Sequence, residues 1–499
     1  MTSTSGRHAP SVLGARLVGG TIQVLASESL ALPVGIAIAA LLARSFGAAG
    51  YGVFALALSM VAAAEWVISA LLTRATIKIV GETGAWRSIA SVALRWHLLA
   101  GIAAAAPLWL AAGPLSSALH EPRLRSCLAW LALEIPFVAT STGCRSILVA
   151  RGRFHDRAVA GAVRWIARLA AIVIIVSLGF SIDGAAAGNV IGAAIGLVVA
   201  RAYVGRLDDN GDAHRWSLRA PAGFWHVAVP TFVFAMSLRL LDKLGLVALK
   251  ALGGSTADIG WYAAAQNFAI APGLLAISFS PLLLASMSQA IGAGHEEAAR
   301  RLARDALRGV AAAVPFAAIA AGSAGEIVRI VYGHAFDPAA RLATPFLVAA
   351  IAIAATTVSS AVLTAAGHAR VAARCAWPVL PVAIAGYLVA VPRFGAMGAA
   401  VVTGTAAAVG AIVALAATRA TWRVAPPIAT CLRGIVISVP AYLAAASWPT
   451  PGVWWFLKVC LLGAGVAAAY LALGECSSAE LSAFARAVRS SRHTVEGDV

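Results

Sequence analysis

Fourteen apolar runs, most of roughly 20 residues, limit what this chain can fold into. Of its 499 residues, 61% are hydrophobic and 12% are charged, whereas soluble domains are about 25% charged. About 20 consecutive apolar residues cross a bilayer as a helix, the conformation that satisfies every backbone polar group internally. The sequence therefore predicts an all-α polytopic membrane protein with about 14 transmembrane helices. The runs, numbered here as spans one to fourteen, lie at residues 17–43, 52–73, 91–113, 126–150, 158–180, 184–205, 223–250, 260–289, 309–331, 342–366, 375–391, 396–418, 428–446 and 453–474.

The distribution of lysine and arginine between the loops predicts the orientation of the chain. The net charge is +17, and most of the 38 Lys and Arg lie in the N-terminus and in the loops after even-numbered spans. By the positive-inside rule these segments and both termini are predicted to be cytoplasmic. Because the charge is spread over many loops, we do not expect nucleic-acid binding. The loops after odd-numbered spans hold Arg44, Arg123, Arg125, Arg341 and Arg393.

The motifs argue against an enzyme, a metal site or a cofactor. There is no P-loop signature, and His295 in "GHEEAARR" lacks the second histidine that a zinc motif requires. The six cysteines are scattered and are predicted to serve core packing. The acids and arginines of residues 294–308 follow the i,i+4 pattern of a cytoplasmic amphipathic helix. We therefore expect no catalytic residues.

Four segments recur in the same order about 210 residues apart, which indicates an internal duplication. They are "LLARSFGAAGYGVFAL" with "LKALGGSTADIGWYAAA", "GETGAWRSIASVALR" with "GHEEAARRLARDALR", "LVARGRFHDRAV" with "LTAAGHARVAAR", and "SIDGAAAGNVIGAAIGLVVA" with "GAMGAAVVTGTAAAVGAIVA". The offset covers six spans, so both copies have the same orientation, an arrangement that transporters commonly use. The repeat predicts an N-terminal bundle at 1–205, a linker at 206–222, a C-terminal bundle at 223–420, and spans thirteen and fourteen with the tail at 421–499.

The first repeated segment is interpreted as a tight turn at the membrane surface. Its glycines supply the positive φ angles that a turn requires. Tyr51 in the first copy, and Trp261 with Tyr262 in the second, are predicted to anchor these turns at the membrane interface.

Charged residues within the spans are the candidates for function, because an ionisable group inside a membrane usually faces a cavity or a partner. In span seven, Arg239, Lys243 and Lys250 lie on one helical face with Asp242 beside them. This stripe suits an anionic headgroup in a central cavity, and the alternative is pairing with neighbouring helices and snorkelling of Lys250.

A second set of charged residues lies in spans one to five. Arg153, Arg157, Arg164 and Arg168 form a stripe that suits either a funnel for an anion or a grip on lipid phosphates, and Arg145 lies near it. The buried acids Glu28, Glu65 and Glu134, like Asp242, are candidates for coupling transport to an ion or a proton, with ion pairing as the alternative.

Three motifs resemble those of polysaccharide biosynthesis flippases of the multidrug/oligosaccharidyl-lipid/polysaccharide (MATE-like) exporter superfamily. They are "LLARSFGAAGYGVFAL", "RLLDKLGLVALKALGGSTADIGWYAAAQ" and "VPRFGAMGAAVVTG", and the similarity extends over most of residues 15–420. The resemblance implies two six-helix bundles in a V around a central cavity lined by Arg239, Asp242 and Lys243.

The resemblance also implies a function. The expected substrate is an oligosaccharide on undecaprenyl diphosphate, moved across the bacterial inner membrane by alternating access for O-antigen, capsule or other surface polysaccharide. The polymerase and glycosyltransferases of the same pathway are candidate partners. The alternative is a cation-coupled multidrug exporter of the same superfamily. Spans thirteen and fourteen exceed the twelve of many relatives, and they provide either a groove for the lipid tail or additional packing.

Overall fold

The structure, a computed structural model, describes residues 27, 29–82, 86–207, 244–376, 378–450, 452 and 454–475. These residues are helical almost throughout, and none of them lies in a β-strand. The helices are α1 (Ala31–Glu82), α2 (Trp86–Leu110), α3 (Ala112–Ala118), α4 (Arg123–Ala132), α5 (Glu134–Ala150), α6 (Phe154–Ser177), α7 (Ile182–Gly205), α8 (Thr256–Gly292), α9 (Glu296–Ala312), α10 (Val314–Gly322), α11 (Ala324–Val331), α12 (Asp337–Ala365), α13 (Ala369–Ala376), α14 (Val379–Trp422), α15 (Ile428–Ser447) and α16 (Trp454–Ala472), with a short 3₁₀ turn at His334–Phe336.

The predicted membrane architecture is confirmed. Among the described residues, ten helical stretches are long and apolar enough to cross a membrane. Two of them, α1 and α14, each contain two predicted spans, so the ten stretches correspond to twelve of the fourteen. Span eight corresponds to α8. Most of span seven lies outside the described residues, apart from the helical residues 244–251.

A glycine with positive φ divides each of the two longest helices. In α1, Gly47 has φ 68° and ψ −175°, and in α14, Gly395 has φ 54° and ψ −133°. Gly253, in the second copy of the first repeated segment, has φ 99°. Because L side chains rarely adopt these conformations, the tight turns predicted from the glycines of the first repeated segment are confirmed at Gly47 and Gly253, and Gly395 marks a further break in α14.

The described residues form two compact units. The first comprises those up to 271 together with 331–346 and 376–406. In it, α6 packs along α7, and α5 packs against α1, α2 and α7. Buried Trp86, Ile147 and Leu148 belong to its core, whereas large apolar side chains such as Leu110 and Leu178 are about 70% exposed. Exposed apolar side chains on long helices are what a lipid-facing surface presents.

The second unit comprises 272–330, 347–375 and the residues from 407 onward, and it contains the hairpin of α15 and α16. A Cβ atom on Gly322 of α10 would lie 2.7 Å from the Tyr442 carbonyl oxygen and 2.8 Å from Ala445 Cβ of α15. Small residues let membrane helices approach this closely. Spans thirteen and fourteen are therefore packed on span nine, although a groove for a lipid tail remains an open proposal.

Ion pairs join this hairpin to a neighbouring helix at each of its two ends, to α11 at one end and to α9 at the other. At one end, Lys458 Nζ lies 2.8 Å from Glu326 Oε2, and the Lys458 side chain is fully buried. At the other end, Glu475 accepts hydrogen bonds from Arg308 Nε at 2.7 Å and Arg433 NH1 at 2.5 Å, and from the Thr430 hydroxyl. Burial of Glu475 opposes ionisation, but these hydrogen bonds outweigh it and lower the pKa of its carboxyl group to about 2.

We expect Glu475→Gln to lower the unfolding free energy at pH 7 by about 2 kcal/mol, because it removes charge-assisted hydrogen bonds. The folded pKa is depressed, so the stabilisation is present above the ordinary value of 4.5 and is lost as the pH falls toward 2. Thermal unfolding in detergent between pH 7 and 3 measures this. The wild type should lose stability below pH 4.5 relative to the variant. Exposed Glu297→Gln on α9 is the control, and an equal loss in both variants would contradict the prediction.

Not every cysteine serves the core. Cys127, Cys144 and Cys375 are buried as predicted, whereas Cys460 of α16 is exposed and Cys431 is half-buried. The prediction was therefore wrong for Cys460, which lies on an outer helix of the hairpin.

Candidate functional site

A groove of about 610 Å³ lies within the first unit, between α1, α5 and α6. Its α1 wall runs from Ala62 to Ile77, which corresponds to about 22 Å of helix. The charged residues that line it are Glu65, Arg145, Arg157 and Arg164. Three guanidinium groups and one carboxylate leave the lining with a positive charge, although the surrounding helices are apolar.

A ladder of glycines on α7 determines how closely the arginine-bearing helix α6 is held. A Cβ atom on Gly192 would lie 2.5 Å from Arg168 Cα, and one on Gly196 would lie 2.7 Å from Arg164 Cγ. One turn earlier in α7, a Cβ atom on Gly188 would lie 3.0 Å from the Ile172 backbone nitrogen. This spacing is the small-residue pattern of close membrane helix packing, and it fixes the backbone positions from which both arginines extend.

Trp165 lies beside both arginines. The Arg164 guanidinium is 4.7 Å from the centroid of its ring, and the Arg168 guanidinium is 5.5 Å from it. Cation–π attraction at such distances favours these positions of the charges.

Arg168 does not line the groove, unlike Arg164, but belongs to a charged cluster behind it. It interacts electrostatically with Glu134, Arg164 and Glu65. Glu134 is 3% exposed and accepts a hydrogen bond from the amide of fully buried Asn189 on α7. Buried carboxylates and guanidinium groups partly offset one another's desolvation cost.

Arg145 and Glu65 complete the charged set. Arg145 donates a hydrogen bond to Thr142 Oγ1 at 3.1 Å. Glu65 interacts electrostatically with Arg164, Arg168 and Arg145. The structure therefore brings together Glu65, Arg145, Arg164 and Arg168 of the predicted site residues, from three different helices.

A second structural feature joins the two sequence repeats at one face of the first unit. This odd-loop face carries the loops after odd-numbered spans, including residues 111–122 and 251–255. A Cβ atom on Gly52 would lie 2.0 Å from the Thr256 carbonyl oxygen, and one on Gly260 would lie 2.1 Å from the Ala48 carbonyl oxygen. Equivalent positions of the two repeats thus contact one another reciprocally, as in a two-fold interface.

Aromatic residues reinforce the odd-loop face. Asn267 Nδ2 donates hydrogen bonds to the Tyr51 hydroxyl at 3.2 Å and to the Tyr332 hydroxyl at 3.1 Å. Tyr262 is 1% exposed and shares a hydrogen bond with Thr403. The prediction that Tyr51 and Tyr262 anchor the turns in the membrane interface was therefore wrong, because both side chains are buried in protein contacts.

Lys250 lies at the odd-loop face, and it does not line the groove. Its Nζ is 3.9 Å from Glu121 Oε2, and Glu121 also accepts a hydrogen bond from the Thr256 hydroxyl at 2.5 Å. Both partners of this ion pair are mostly buried. The remaining predicted site residues, Glu28, Arg239, Asp242 and Lys243, lie outside the described residues.

Comparison with protein-family models gives one match that covers more than half of the chain. The model describes polysaccharide biosynthesis proteins, and it matches residues 41–341. The chain belongs to this family. No curated protein sequence matches it.

Solved structures similar to this polysaccharide biosynthesis protein are membrane transporters and flippases. The lipid II flippase MurJ, in an inward closed conformation, has a TM-score of 0.74 at 15% identity, covering 91% of this chain and 98% of that protein. An inward-facing multidrug resistance MATE transporter has a TM-score of 0.62 at 13% identity, covering 87% and 95%. A mutant of the Vibrio cholerae MATE transporter VcmN has a TM-score of 0.57 at 15% identity, covering 83% and 98%. The predicted MATE-like fold is thereby confirmed.

Several residues of the site were missed from the sequence. Trp165 adjoins Arg164, so the string "RWIAR" carried a signal for the stacked arginines, and "GNVIGAAIG" carried the spacing of the glycine ladder. Glu121 had no such signal, because its partners Lys250 and Thr256 are more than 120 residues away in the chain.

Proposed function

We propose that this protein moves a saccharide linked to undecaprenyl diphosphate across the bacterial inner membrane, in a pathway of surface polysaccharide synthesis. The observation that carries the proposal is the positively charged groove within a membrane-embedded bundle. A diphosphate diester carries two negative charges, and in the lining of the groove three arginines outnumber the single glutamate. Membership of the polysaccharide biosynthesis family supports the same substrate class.

The sidedness of the protein follows from its loop charges. The loops after even-numbered spans are rich in arginine, and the positive-inside rule therefore supports a cytoplasmic location for them. The groove extends from this side, since Phe154 and Arg157 in the first turn of α6 belong to its lining. The substrate would therefore load from the cytoplasmic leaflet, where lipid-linked saccharides are assembled, while the odd-loop face closes the periplasmic side.

Alternating access then requires the contacts of the odd-loop face to separate. The reciprocal Gly52 and Gly260 contacts, the Asn267 hydrogen bonds and the Lys250–Glu121 pair would hold the closed form. Glu65, which shares arginines with the substrate site, remains the candidate for coupling this cycle to an ion or a proton. Glycosyltransferases that build the substrate and a polymerase that consumes it would be the partners.

The charge of the groove favours the flippase over a multidrug exporter. A cationic drug would meet three arginines and a single glutamate in the groove. Because like charges in a poorly hydrated site repel strongly, an exporter of cations needs the opposite balance.

Mass spectrometry of undecaprenyl-linked saccharides in a deletion strain tests the proposal. We expect a complete lipid-linked unit to accumulate and the surface glycan to disappear, with both effects reversed by the wild-type gene. An unchanged lipid pool with new sensitivity to cationic drugs would instead establish the exporter.

A further inference from the structure

The end of the groove that lies deeper in the bundle, here called the inner end, differs in its side chains from the cytoplasmic end. Helix α1 places Trp66 and Glu65 at the inner end, followed toward the cytoplasmic end by Ser69 and Thr73 at helical spacing. Helix α5 faces them with Thr142. The groove therefore combines an aromatic ring, a carboxylate and hydroxyl groups in a region where membrane helices are otherwise apolar.

The arginines are spread along the rest of the groove. Phe154 and Arg157 lie in the first turn of α6, about 10 Å along the helix from Arg164. Arg145 lies between these levels, five residues before the end of α5. A lipid-linked diphosphate entering from the cytoplasmic leaflet meets Arg157 first, while whatever is attached to it extends toward Trp66.

The polar atoms at the inner end suit a polyhydroxylated ligand. Glu65 Oε1 is buried, and among the described residues no hydrogen bond to it is formed. A buried acceptor without a partner is costly unless a ligand satisfies it. Thr142 Oγ1 accepts from Arg145, which leaves its hydroxyl proton available for donation to a ligand acceptor. Ser69 and Thr73 share one hydrogen bond of 3.2 Å, which leaves further donor and acceptor capacity on both hydroxyls.

We propose that the inner end of this groove is a saccharide subsite, in which Trp66 stacks on the apolar face of the sugar next to the diphosphate. Glu65, Ser69 and Thr142 exchange hydrogen bonds with the hydroxyl groups of that sugar. Arg145, Arg157 and Arg164 hold the phosphates. The inference rests on the proposed function, and it assigns recognition of the first sugar to the N-terminal repeat alone.

The cavity volume and its residues fit this assignment. At about 610 Å³ the groove lies within the usual range of small-molecule sites, and it is larger than a diphosphate alone would fill. Aromatic residues are frequent energetic centres of binding sites because they offer a large rigid surface at low entropic cost. Glu65, the one acid among the described residues that line this groove, would favour a neutral sugar over one that carries a further negative charge.

Binding to the purified full-length protein in nanodiscs tests the subsite. The probes are undecaprenyl diphosphate alone and three derivatives that carry N-acetylglucosamine, glucose or galactose. We expect the wild type to bind the best derivative at least about tenfold more tightly than the sugar-free lipid, a difference of 1.4 kcal/mol. Trp66→Leu should abolish this preference while the affinity for the sugar-free lipid stays unchanged. Trp66→Phe should retain most of it.

Two further variants control for folding. Trp109→Leu removes a half-exposed tryptophan of α2 that lies outside the groove, and it should change neither affinity. Ser69→Ala, a small change in the groove, should reduce the sugar preference about threefold even if Trp66→Leu fails to fold. Equal weakening for all probes in Trp66→Leu, or an unchanged preference in both groove variants, would overturn the subsite. If the wild type binds none of the diphosphates, the proposed function itself is rejected.

Discussion

Replacing Arg164 with alanine is expected to lower transport of the lipid-linked saccharide by at least about thirtyfold. Truncating one member of a buried, charge-paired contact costs about 2–5 kcal/mol, and the lower figure already corresponds to this loss of rate. Arg164 lines the groove, stacks on Trp165 and interacts electrostatically with Glu65 and Glu134. Its loss removes a phosphate ligand and also leaves two carboxylates with one cation fewer.

The measurement is the transfer of labelled lipid-linked saccharide across vesicles that contain the purified protein. Arg164→Lys should fall between the wild type and Arg164→Ala, because lysine keeps the charge but lacks the planar fork that binds phosphate through two hydrogen bonds. Arg123→Ala is the control, since Arg123 is an exposed residue at the start of α4. Full transport by Arg164→Ala at normal protein levels would remove the groove from the mechanism.

The general architecture was readable from the sequence because the bilayer imposes a length and a polarity on every span. The apolar runs therefore predicted the helices, and the repeated glycine-rich segment located the breaks at Gly47 and Gly253. The repeat indicated that the segments around Gly52 and Gly260 are equivalent. It did not reveal that they contact each other, because a repeat carries no information about the distance between its copies.

The roles of individual polar residues were less predictable. Tyr51 and Tyr262 have the amphipathic character of interface residues, but Asn267 and Thr403, far away in sequence, supply partners that allow them to be buried. A helical projection placed Lys250 with Arg239 and Lys243, yet its described partner is Glu121. A projection of one helix cannot identify partners contributed by another helix.

The arginines of span five were more predictable from the sequence. Their common face was evident from spacing alone, and Arg164 indeed lines the groove. Arg168, on the same face, is absent from the lining of the groove and interacts electrostatically with Glu134. The division between a groove-lining arginine and an enclosed arginine depends on tertiary packing.

Gly52→Ala should destabilise the closed form of the odd-loop face, in which the segments around Gly52 and Gly260 are in contact. We expect it to lower transport about tenfold or more. The new Cβ atom would lie 2.0 Å from the Thr256 carbonyl oxygen and 2.9 Å from the Gly260 amide nitrogen. Both obstacles are backbone atoms, so no side chain can rotate away and the two helices must separate. Overpacking of this kind costs about 1–3 kcal/mol, which shifts a closed-to-open equilibrium by about 5- to 150-fold.

Hydrogen–deuterium exchange of residues 44–56 and 255–267 measures the opening directly, alongside transport in vesicles. Both segments should exchange faster in Gly52→Ala, and Gly260→Ala should reproduce the effect, since its Cβ atom would meet the Ala48 carbonyl oxygen at 2.1 Å. Gly35→Ala is the matched control in the same helix, because a Cβ atom there has no neighbour within 4 Å among the described residues. If the three variants exchange and transport alike, the contact between the repeats does not hold the closed form, and closure must depend on the Asn267 and Lys250 contacts instead.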